Sequence, residues 1–330
     1  SQRAPLFIIS WKFMFYMATM AMPHTSDPFQ DQNLKLAVSR RASLADDSQT
    51  TAFRLVDGEA DGFHGVVLEV FDKIWLVSTL GRHLPALFRE VQEDVRALYW
   101  KRLDQDQKET PQWVWGEKVD APFHVLERGM KIELSMQSGY SQGIFLDQRI
   151  NRRHVRERVK PGQRVLNTFS YTCAFSVAAA LAGGIATSLD LSNPYLQWGK
   201  RNMEANGIDS ASQYFCKGDA MSWMKRFAKQ ERLFTGIILD PPTFSRSDAG
   251  VFSVQRDYDR LVQAAVQIAE PGGWILATCN DRRLGHERFE VMVRDGVQLA
   301  GRQLGKLTHT PMPPDFMDEH YLKSIWLDLI

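Results

Sequence analysis

The fold is decided by the stretch Gly236-Ile-Ile-Leu-Asp-Pro-Pro-Thr-Phe-Ser-Arg-Ser247. Its first four residues are apolar and predict a buried central strand of an open parallel sheet. Because ligands bind at the carboxyl ends of such strands, Asp240 is predicted to lie at a crevice. Pro241 and Pro242 stiffen the following loop and remove two backbone donors, and the ring of Phe244 offers a surface on which a flat base can stack. Alone, these residues would be as typical of a simple turn.

Three strand-and-helix units precede this stretch and predict a doubly wound α/β sheet. Their predicted elements are a strand and turn in Arg164–Ser176 with a helix to about Leu181, a strand within Ile185–Leu191 that ends in Asp190 with a helix at Pro194–Asn206, and a strand at Gln213–Lys217 with a helix at Ala220–Lys229. Three carboxylates, Asp190, Asp219 and Asp240, therefore follow strands of one sheet. Such a set fits a bound adenosine, with Asp190 on the ribose hydroxyls and Asp219 near the adenine amino group.

The turn after the first strand separates two classes of nucleoside-binding enzyme. Dinucleotide-binding enzymes place a glycine-rich turn there, so that the backbone can approach a pyrophosphate. This chain has Phe169-Ser-Tyr-Thr-Cys-Ala174, which contains no glycine. A donor without a phosphate tolerates the bulkier turn, and the sequence therefore favours S-adenosylmethionine over a nicotinamide cofactor.

Several longer motifs carry a family resemblance. They are Gly143–Arg149, Leu166–Thr172, Leu189–Ser192 with Tyr195 and Trp198, Asp240–Ser245, and Val254–Asp257. From about Ala52 to its end, the chain resembles the RlmI/RlmK-type methyltransferases of bacterial large-subunit ribosomal RNA. Thr243 after the prolines and Val254–Asp257 after the loop are closer to the guanine-N7 side of that family. Cys173 departs from the pattern, since the family often has glycine there.

The residue patterns and the resemblance together predict the site residues. For the donor they are Phe145, Asp147, Gln148, Arg149, Asn167, Phe169, Tyr171, Thr172, Asp190, Ser192, Asp219, Ala220 and Asp240. For the acceptor base they are Asp240, Pro241, Pro242, Phe244 and Asn280, and for RNA they are Arg153, Arg156, Arg246, Arg282 and Arg283. The predicted partner is ribosomal RNA or a ribosomal particle.

The loop after the fifth strand decides the acceptor chemistry. Cytosine-C5 methylation needs a thiolate nucleophile, and Cys279 is the cysteine near the right strand end. Guanine N7 already carries an in-plane lone pair, so its methylation needs positioning only. The run Asn280–Arg283 is similar to the polar, basic loop of the guanine-N7 enzymes, and Arg282 pairs well with the O6/N7 edge of guanine. Guanine-N7 transfer is the primary prediction, and cytosine-C5 transfer through Cys279 is the alternative.

Basic residues recur on the helix that precedes the sheet. Arg149, Arg152, Arg153, Arg156 and Lys160 follow at intervals of three or four, which predicts one basic stripe. Its role is open between a solvated surface and contact with RNA phosphates or with the donor's carboxylate. By resemblance, Gln148 and Arg149 are donor ligands, and Arg153 and Arg156 face outward.

Composition and length bound the remaining possibilities. The chain has 330 residues, 44% of them apolar, a formal net charge of +1 and three cysteines without metal-ligand spacing. These values indicate two domains with real cores, no global polyanion signature, no metal site, and a reduced, cytoplasmic setting. The apolar run Leu6–Met17 is too short and too interrupted for a membrane span or a signal peptide. Monomer and homodimer both remain open.

We expect three segments along the chain. Residues 1–50 form an N-terminal arm, residues 51–136 a small α+β domain, and residues 137–330 a seven-stranded, Rossmann-like methyltransferase domain. The small domain is predicted to contain strands at Phe53–Val56, Gly65–Val70 and Ile74–Ser78, a helix at Leu84–Tyr99, and closing strands at Phe123–Glu127 and Lys131–Leu134. At the end of the chain, a helix at Phe289–Ala300 and strands at Arg302–Thr308 and Ser324–Leu329 are predicted to complete the large sheet.

Two functions from other classes fit the same sequence. The chain could be a non-catalytic RNA-binding or assembly factor that keeps the fold, although the intact set of three carboxylates favours an enzyme. It could also methylate a small molecule or a protein instead of RNA. Measuring whether the chain binds the methyl donor distinguishes the non-catalytic alternative from an enzyme. Comparing activity on RNA with activity on free nucleosides distinguishes an RNA methyltransferase from one that acts on other substrates.

Overall fold

A computed structural model describes residues 28–89, 94–105, 109–247, 250–318 and 321–330. The chain divides into two units. The first contains the described residues up to Gly129 together with Leu134–Gln142 and Asp315–Met317, and the second contains Met130–Glu133, Gly143–Pro314 and Asp318–Ile330. The apolar run Leu6–Met17 lies outside the described residues. Among the residues that are described, no helix has both the length and the apolar character that crossing a bilayer requires.

A five-stranded sheet forms the first unit. Its strands, in spatial order, are β1 (Ala52–Asp57), β2 (Val66–Phe71), β3 (Ile74–Thr79), β4 (Ala97–Arg102) and β5 (Gln112–Gly116). β3 and β4 are parallel and the other neighbours are antiparallel. Strand β6 (Phe123–Glu127) follows in the same unit, and β7 (Met130–Leu134) carries the chain into the second.

The predicted helix at Leu84–Tyr99 is wrong. Within it the described residues form a 3-10 turn at Ala86–Phe88 and then the start of β4. Ala97, Leu98 and Tyr99 are all buried between β3 and β5. Pairing with these two strands therefore makes the apolar run a strand and not a helix. The sequence analysis did not predict β5. It also predicted that the segments of β6 and β7 close this sheet, but β4 and β5 occupy those positions.

Helix α1 (Pro28–Arg40) and the short helix α2 (Ala42–Ala45) lie in the segment predicted as an arm. Leu34, Ala37 and Val38 of α1 are buried in the core of the first unit. Between the helices and β2, Arg41 donates to the Asp61 carboxylate at 2.7 Å, and both side chains are fully buried. This residue pair fixes α1 to the unit because leaving either charge unpaired in the interior would be costly.

A seven-stranded sheet forms the second unit, with the order β10-β9-β8-β11-β14-β16-β15. The strands are β8 (Arg164–Thr168), β9 (Ile185–Asp190), β10 (Tyr214–Lys217), β11 (Phe234–Leu239), β14 (Ala269–Cys279), β15 (Leu304–His309) and β16 (Lys323–Leu329). The first five in this order are parallel, and β16 is antiparallel to both of its neighbours. The predicted doubly wound α/β sheet is thus confirmed.

Five helices and one hairpin connect these strands in the described residues, and a sixth helix precedes β8. The helices are α3 (Arg149–Arg158), α4 (Ala174–Leu181), α5 (Asn193–Ala205), α6 (Ala220–Lys229), α7 (Val254–Val266) and α8 (His286–Leu299). The hairpin β12–β13 (Phe244–Ser247, Gly250–Ser253) follows the two prolines and was not predicted. The chain runs outward from β8 to β10 and then returns to β11, so the carboxyl ends of β8 and β11 form the crevice at which open α/β sheets bind ligands.

Candidate active site

Asp240 directly follows β11, where it receives two side-chain hydrogen bonds on one carboxylate oxygen. Thr278 of β14 donates its hydroxyl at 2.5 Å and Gln148 donates its amide at 3.0 Å. Burial raises the pKa of the Asp240 carboxyl, while both hydrogen bonds and the nearby Arg152 oppose the rise. The structure therefore holds Asp240 in one orientation at the strand end predicted for it.

The orientation of Gln148 is itself fixed by a second amide. Asn151 donates to the Gln148 carbonyl oxygen at 2.7 Å and to the Ser324 hydroxyl of β16 at 2.8 Å. Because Asn151 occupies the carbonyl side, the amide nitrogen of Gln148 must face Asp240. The sequence did not reveal Asn151 or Thr278. The only available signal was a polar residue near the end of the apolar run in β14.

The turn between β8 and α4, which is the predicted donor turn, adopts a backbone conformation that is more typical of glycine. Phe169, Tyr171 and Cys173 have φ angles of 54°, 48° and 64°, in the left-handed region. Cys173, the residue that stands where the family often has glycine, is thus in the conformation that glycine favours. Close packing adds a second constraint, because a Cβ on Gly199 of α5 would lie 2.2 Å from the Cys173 sulfur.

Asp190 ends β9 and holds this turn in place. One carboxylate oxygen accepts the Tyr171 backbone N–H at 2.9 Å, and the other accepts the Ser192 N–H at 2.8 Å. Burial raises the pKa of the Asp190 carboxyl. A carboxylate can accept about four hydrogen bonds, which is more than these backbone donors supply, so the group suits a vicinal diol such as a ribose.

Aromatic rings stand beside Asp190. Phe145 lies 5.2 Å from Tyr171, which in turn contacts Tyr195 edge-to-face at 4.6 Å. The Phe145 ring is 43% exposed, whereas the turn behind it is largely buried. An exposed ring next to a carboxylate that could accept a diol suits a nucleoside, because one face of a flat base can stack there.

Asp219 follows β10 and caps helix α6, accepting the Ser222 N–H at 2.8 Å. Ala220 is the first residue of that helix and is buried. Since β9 and β10 are parallel, with Lys217 opposite Asp190, Asp219 lies at the same sheet edge as Asp190. The donor set therefore fits S-adenosylmethionine in its chemistry: carboxylates for a diol and an amino group, and no glycine-rich phosphate turn.

Other predicted donor residues have internal roles in the structure. Asn167 donates to Ser176 at 2.9 Å, Thr172 donates to the Gly143 carbonyl at 2.6 Å, and Ser192 caps helix α5 through Tyr195. Asp147 and Arg149 are both buried beside Gln148 at the start of α3.

The loop after β14 is held by Asp281. Its buried carboxylate accepts the Gln255 amide at 2.8 Å and the Arg283 backbone and side-chain N–H groups at about 3.0 Å. Its backbone carbonyl accepts the buried Lys323 ammonium at 2.9 Å. This anchoring places the preceding residue, Asn280, next to Thr243 of the Asp-Pro-Pro loop, with the Thr243 hydroxyl 3.3 Å from the Asn280 side-chain oxygen.

Replacing Asp281 by Asn is expected to destabilise the fold by about 1 to 2 kcal/mol at neutral pH, after discounting for the exposure of its partner. Arg283 lowers the pKa of Asp281 from 3.8 to about 2. A lowered pKa means that this stabilisation is present above pH 3.8 and is lost as the pH falls through about 2. Urea unfolding of the wild type and the variant between pH 2 and 7 measures this effect. The difference between their free energies of unfolding should become smaller toward acid pH, and a difference that does not change with pH would contradict the prediction.

The predicted RNA-binding arginines differ in their availability. Arg282 is ion-paired with Asp318 and Arg283 with Asp281, so neither guanidinium is uncommitted. Arg246 on β12 is exposed, as is the 55% exposed Phe244 ring that precedes it. In the same loop Pro241 is buried and Pro242 exposed.

The prediction of one basic stripe on α3 is wrong in part. Arg149 and Arg152 are buried, with exposures of 5% and 3%, and Arg152 donates to the Phe145 carbonyl at 2.8 Å. Arg153 is half-buried and lies 3.5 Å from Glu157, and Arg156 is exposed. The periodicity showed which basic residues lie close together on the helix surface. It could not show that the side carrying Arg152 faces Asp240 and not solvent.

Comparison with known proteins identifies the family of the chain. The family model described as S-adenosylmethionine-dependent methyltransferase matches residues 91–326. Ribosomal RNA large subunit methyltransferase I of Pseudoalteromonas translucida is 30% identical over 90% of this chain and 79% of its own. Ribosomal RNA large subunit methyltransferase K/L of Shewanella loihica is 36% identical over 67% of this chain and 30% of its own. The crystal structure of SMU.776 complexed with SAH has a TM-score of 0.83 at 28% identity, covering 93% of this chain and 83% of that one.

The fold and the match define a class I methyltransferase that uses S-adenosylmethionine. The chain belongs to the RlmI/RlmK-type family of large-subunit ribosomal RNA methyltransferases. The predicted donor and the predicted enzyme class are thereby confirmed. The comparisons include relatives from both the I and the K/L branches, so they leave the acceptor atom open.

Proposed function

We propose that this enzyme methylates guanine N7 of large-subunit ribosomal RNA by direct transfer. The observation that carries the proposal is the setting of Cys279, the residue that a cytosine-C5 mechanism would use. Cys279 is 1% exposed and belongs to the apolar core of the second unit, and burial raises the pKa of its thiol. A thiol in such a setting is a poor source of thiolate.

The direction of the Cys279 side chain also argues against a role as the nucleophile. Consecutive residues of a strand face opposite sides of the sheet. Thr278 directs its hydroxyl to Asp240, so Cys279 faces away from Asp240, toward the core that includes Tyr258. Asn280 is the next residue on the Asp240 side, and its amide suits the hydrogen-bonding edge of a guanine better than nucleophilic catalysis.

Donor binding is assigned to the first half of the sheet. Asp190 would hold the ribose, Asp219 and Ala220 the adenine, and Phe145 one face of the base. Gln148 and Asp240 would lie between donor and acceptor. When bound, S-adenosylmethionine supplies a methyl carbon that leaves sulfur and bonds to N7, so the positive charge passes from the sulfonium to the guanine ring and no proton is removed.

The chain's own residues then have positioning tasks. Phe244 and Pro242 would support the plane of the flipped or single-stranded guanine, and Asn280 would hold its edge. Asp240 would stabilise the cationic ring as it forms. Arg153, Arg156 and Arg246 would contact phosphates of the surrounding RNA. Arg153, Arg282 and Arg283 would first have to leave their carboxylate partners.

The test is methylation of large-subunit ribosomal RNA transcripts with isotopically labelled donor, followed by nucleoside mass spectrometry. We expect the label in 7-methylguanosine and none in 5-methylcytidine. Free guanosine serves as the control and should not react, since the phosphate contacts are missing. Label confined to 5-methylcytidine or to any other RNA nucleoside would contradict the proposal, and RNA without any label would contradict RNA as the substrate.

Cys279→Ala is expected to retain appreciable turnover, within about tenfold of the wild type, whereas an essential nucleophile would cost several powers of ten. RNA containing 5-fluorocytosine should form no denaturation-resistant adduct with the wild-type enzyme. Cys173→Ala is the matched control, because Cys173 is equally buried but lies in the donor turn. An adduct that forms with the wild type and disappears in Cys279→Ala would establish the cytosine-C5 mechanism instead.

A further inference from the structure

Positive charge is concentrated at the β10 edge of the large sheet. Residues 210–232 contain five cations, Lys217, Lys225, Arg226, Lys229 and Arg232, against two carboxylates, Asp219 and Glu231. This segment therefore carries a net charge of +3, whereas the whole chain carries +1. We call the surface of β10 and α6 the β10 face. None of its residues is among the predicted RNA-binding residues.

Ion pairing separates the cations of the β10 face from several other arginines of the second unit. Elsewhere in the second unit many arginines are ion-paired, as in Arg158–Asp328, Arg164–Glu270 and Arg294–Glu290. Within the described ranges, none of the five cations of the β10 face has a carboxylate within ion-pair distance. Among the residues that the structure describes, no carboxylate competes with an external anion for their charge.

Aromatic rings interleave with these cations on both sides of β10. Arg232 lies over the Tyr214 ring at 4.7 Å, and Lys200 of α5 lies over the Phe215 ring at 5.3 Å. On α6, Arg226 lies over Trp223 at 4.9 Å. The Tyr214 ring is 51% exposed at the outer strand of the sheet. A merely solvated basic face needs no exposed rings, whereas a strand of RNA uses cations for its phosphates and rings for its bases.

The position of the β10 face links it to the donor site. Lys217 at its upper end is paired in register with Asp190, and the Trp223 indole donates to the Lys217 carbonyl at 3.0 Å. The face therefore begins at the carboxyl edge of the sheet and continues along α6.

We propose that the β10 face binds a single-stranded segment of the substrate RNA outside the acceptor nucleotide. Lys217, Lys225, Arg226 and Lys229 contact the phosphates, and Tyr214 offers a stacking surface to a base. This assignment rests on the proposed RNA substrate.

The test compares two triple variants with the same change in charge. Lys225→Gln/Arg226→Gln/Lys229→Gln neutralises the face, and Gln preserves helix propensity. Arg260→Gln/Arg288→Gln/Lys306→Gln is the control, because these exposed cations lie on α7, α8 and β15, and β15 is the opposite outer strand. Melting temperature and donor binding are measured for both, to show that the fold is kept.

For the β10-face variant, we expect RNA affinity near 100 mM salt to fall roughly tenfold or more, and the slope of log affinity against log salt to become shallower by about 2. The control should keep the wild-type slope. Equal slopes for the wild type and the β10-face variant, or an equal loss in the control, would overturn the proposal.

Photo-crosslinking of the wild-type protein to the same RNA gives an independent measurement that needs no variant. Crosslinked nucleotides are expected on peptides that contain Tyr214 or Trp223, and crosslinks confined to other peptides would overturn the assignment. If the wild type methylates RNA but the β10-face results are negative, this inference alone fails. If the wild type neither binds nor methylates RNA, the proposed function fails with it.

Discussion

Asp240→Asn is expected to lower kcat roughly 100-fold, the scale for removing one preorganised electrostatic group from an active site. Methylation at N7 leaves the guanine cationic, and the carboxylate would stabilise that charge while a neutral amide would not. The geometry can survive the exchange, because an Asn oxygen can still accept from Thr278 and Gln148. Single-turnover methylation of RNA with saturating donor measures the change.

The pH dependence distinguishes charge from shape. Burial raises the pKa of Asp240 above its ordinary value of 3.8, and the ionised form is the one that stabilises a cation. Wild-type activity should therefore rise as the pH climbs through that raised pKa, and the Asn variant should lack this limb. Thr278→Val is the matched control. It removes the 2.5 Å hydrogen bond to the carboxylate and should move the limb to higher pH. An Asn variant with the wild-type rate and profile would exclude a catalytic charge.

Stability should respond in the opposite sense to activity. With a raised folded-state pKa, the Asp240 carboxyl contributes stability below pH 3.8, and this contribution is lost as the pH rises through the raised value. At neutral pH the Asn variant is therefore expected to unfold at the same or higher denaturant concentration than the wild type. This keeps a loss of kcat from being explained by unfolding.

Asp190→Ala is expected to weaken donor affinity by about 1 to 3 kcal/mol, or roughly 5- to 150-fold, the scale for losing hydrogen bonds to a charged group. The substitution removes the diol acceptor and also frees the Tyr171 and Ser192 N–H groups that orient the turn. Titration calorimetry with S-adenosylmethionine or its demethylated product measures the loss. Unchanged affinity would contradict the ribose assignment.

Asp219→Asn provides the matched control for that measurement. Asn caps a helix about as well as Asp, so α6 keeps the hydrogen bond now made by Ser222. The charge near the adenine amino group is lost while the cap is kept, and the affinity should fall less than in Asp190→Ala. A larger loss in Asp219→Asn would reverse the proposed division of labour between the two carboxylates.

The second unit was predictable because its sequence signals are local. Gly183, Gly207 and Gly218 mark the ends or beginnings of elements, and acidic residues follow three of the strands. The helix predicted at Ala220–Lys229 has those bounds in the structure, and β9 ends at Asp190 as predicted. Such signals need no knowledge of the neighbouring strands.

The first unit was less predictable because its signals are not local. The residues of β4 are apolar on both faces and carry no clear period of two, so their conformation depends on pairing with β3 and β5. β5 itself has one exposed and one half-buried tryptophan and no alternation that separates it from a loop. Tertiary pairing decided both elements.

The candidate site likewise contains residues with local sequence signals and residues without them. Strand ends located Asp190, Asp219 and Asp240, but contacts distant in sequence link Thr278, Asn151 and Ser324 to Asp240. The Tyr258 hydroxyl likewise donates to the Thr278 carbonyl at 2.8 Å, a contact that the motif beginning at Val254 did not reveal. Periodicity also cannot report depth, which is why the buried Arg152 was grouped with exposed arginines.

The left-handed donor turn also bears on the order in which this protein assembles. Each such residue costs about 1 to 2 kcal/mol when it is not glycine, so the turn cannot persist on its own. Its anchors come from later in the chain: the Asp190 carboxylate holds Tyr171, and the Leu189 carbonyl accepts the Ser170 N–H at 3.0 Å. A nascent chain that ends before β9 would therefore lack a shaped donor turn, and competence to bind the methyl donor would arise only once two neighbouring strands have paired.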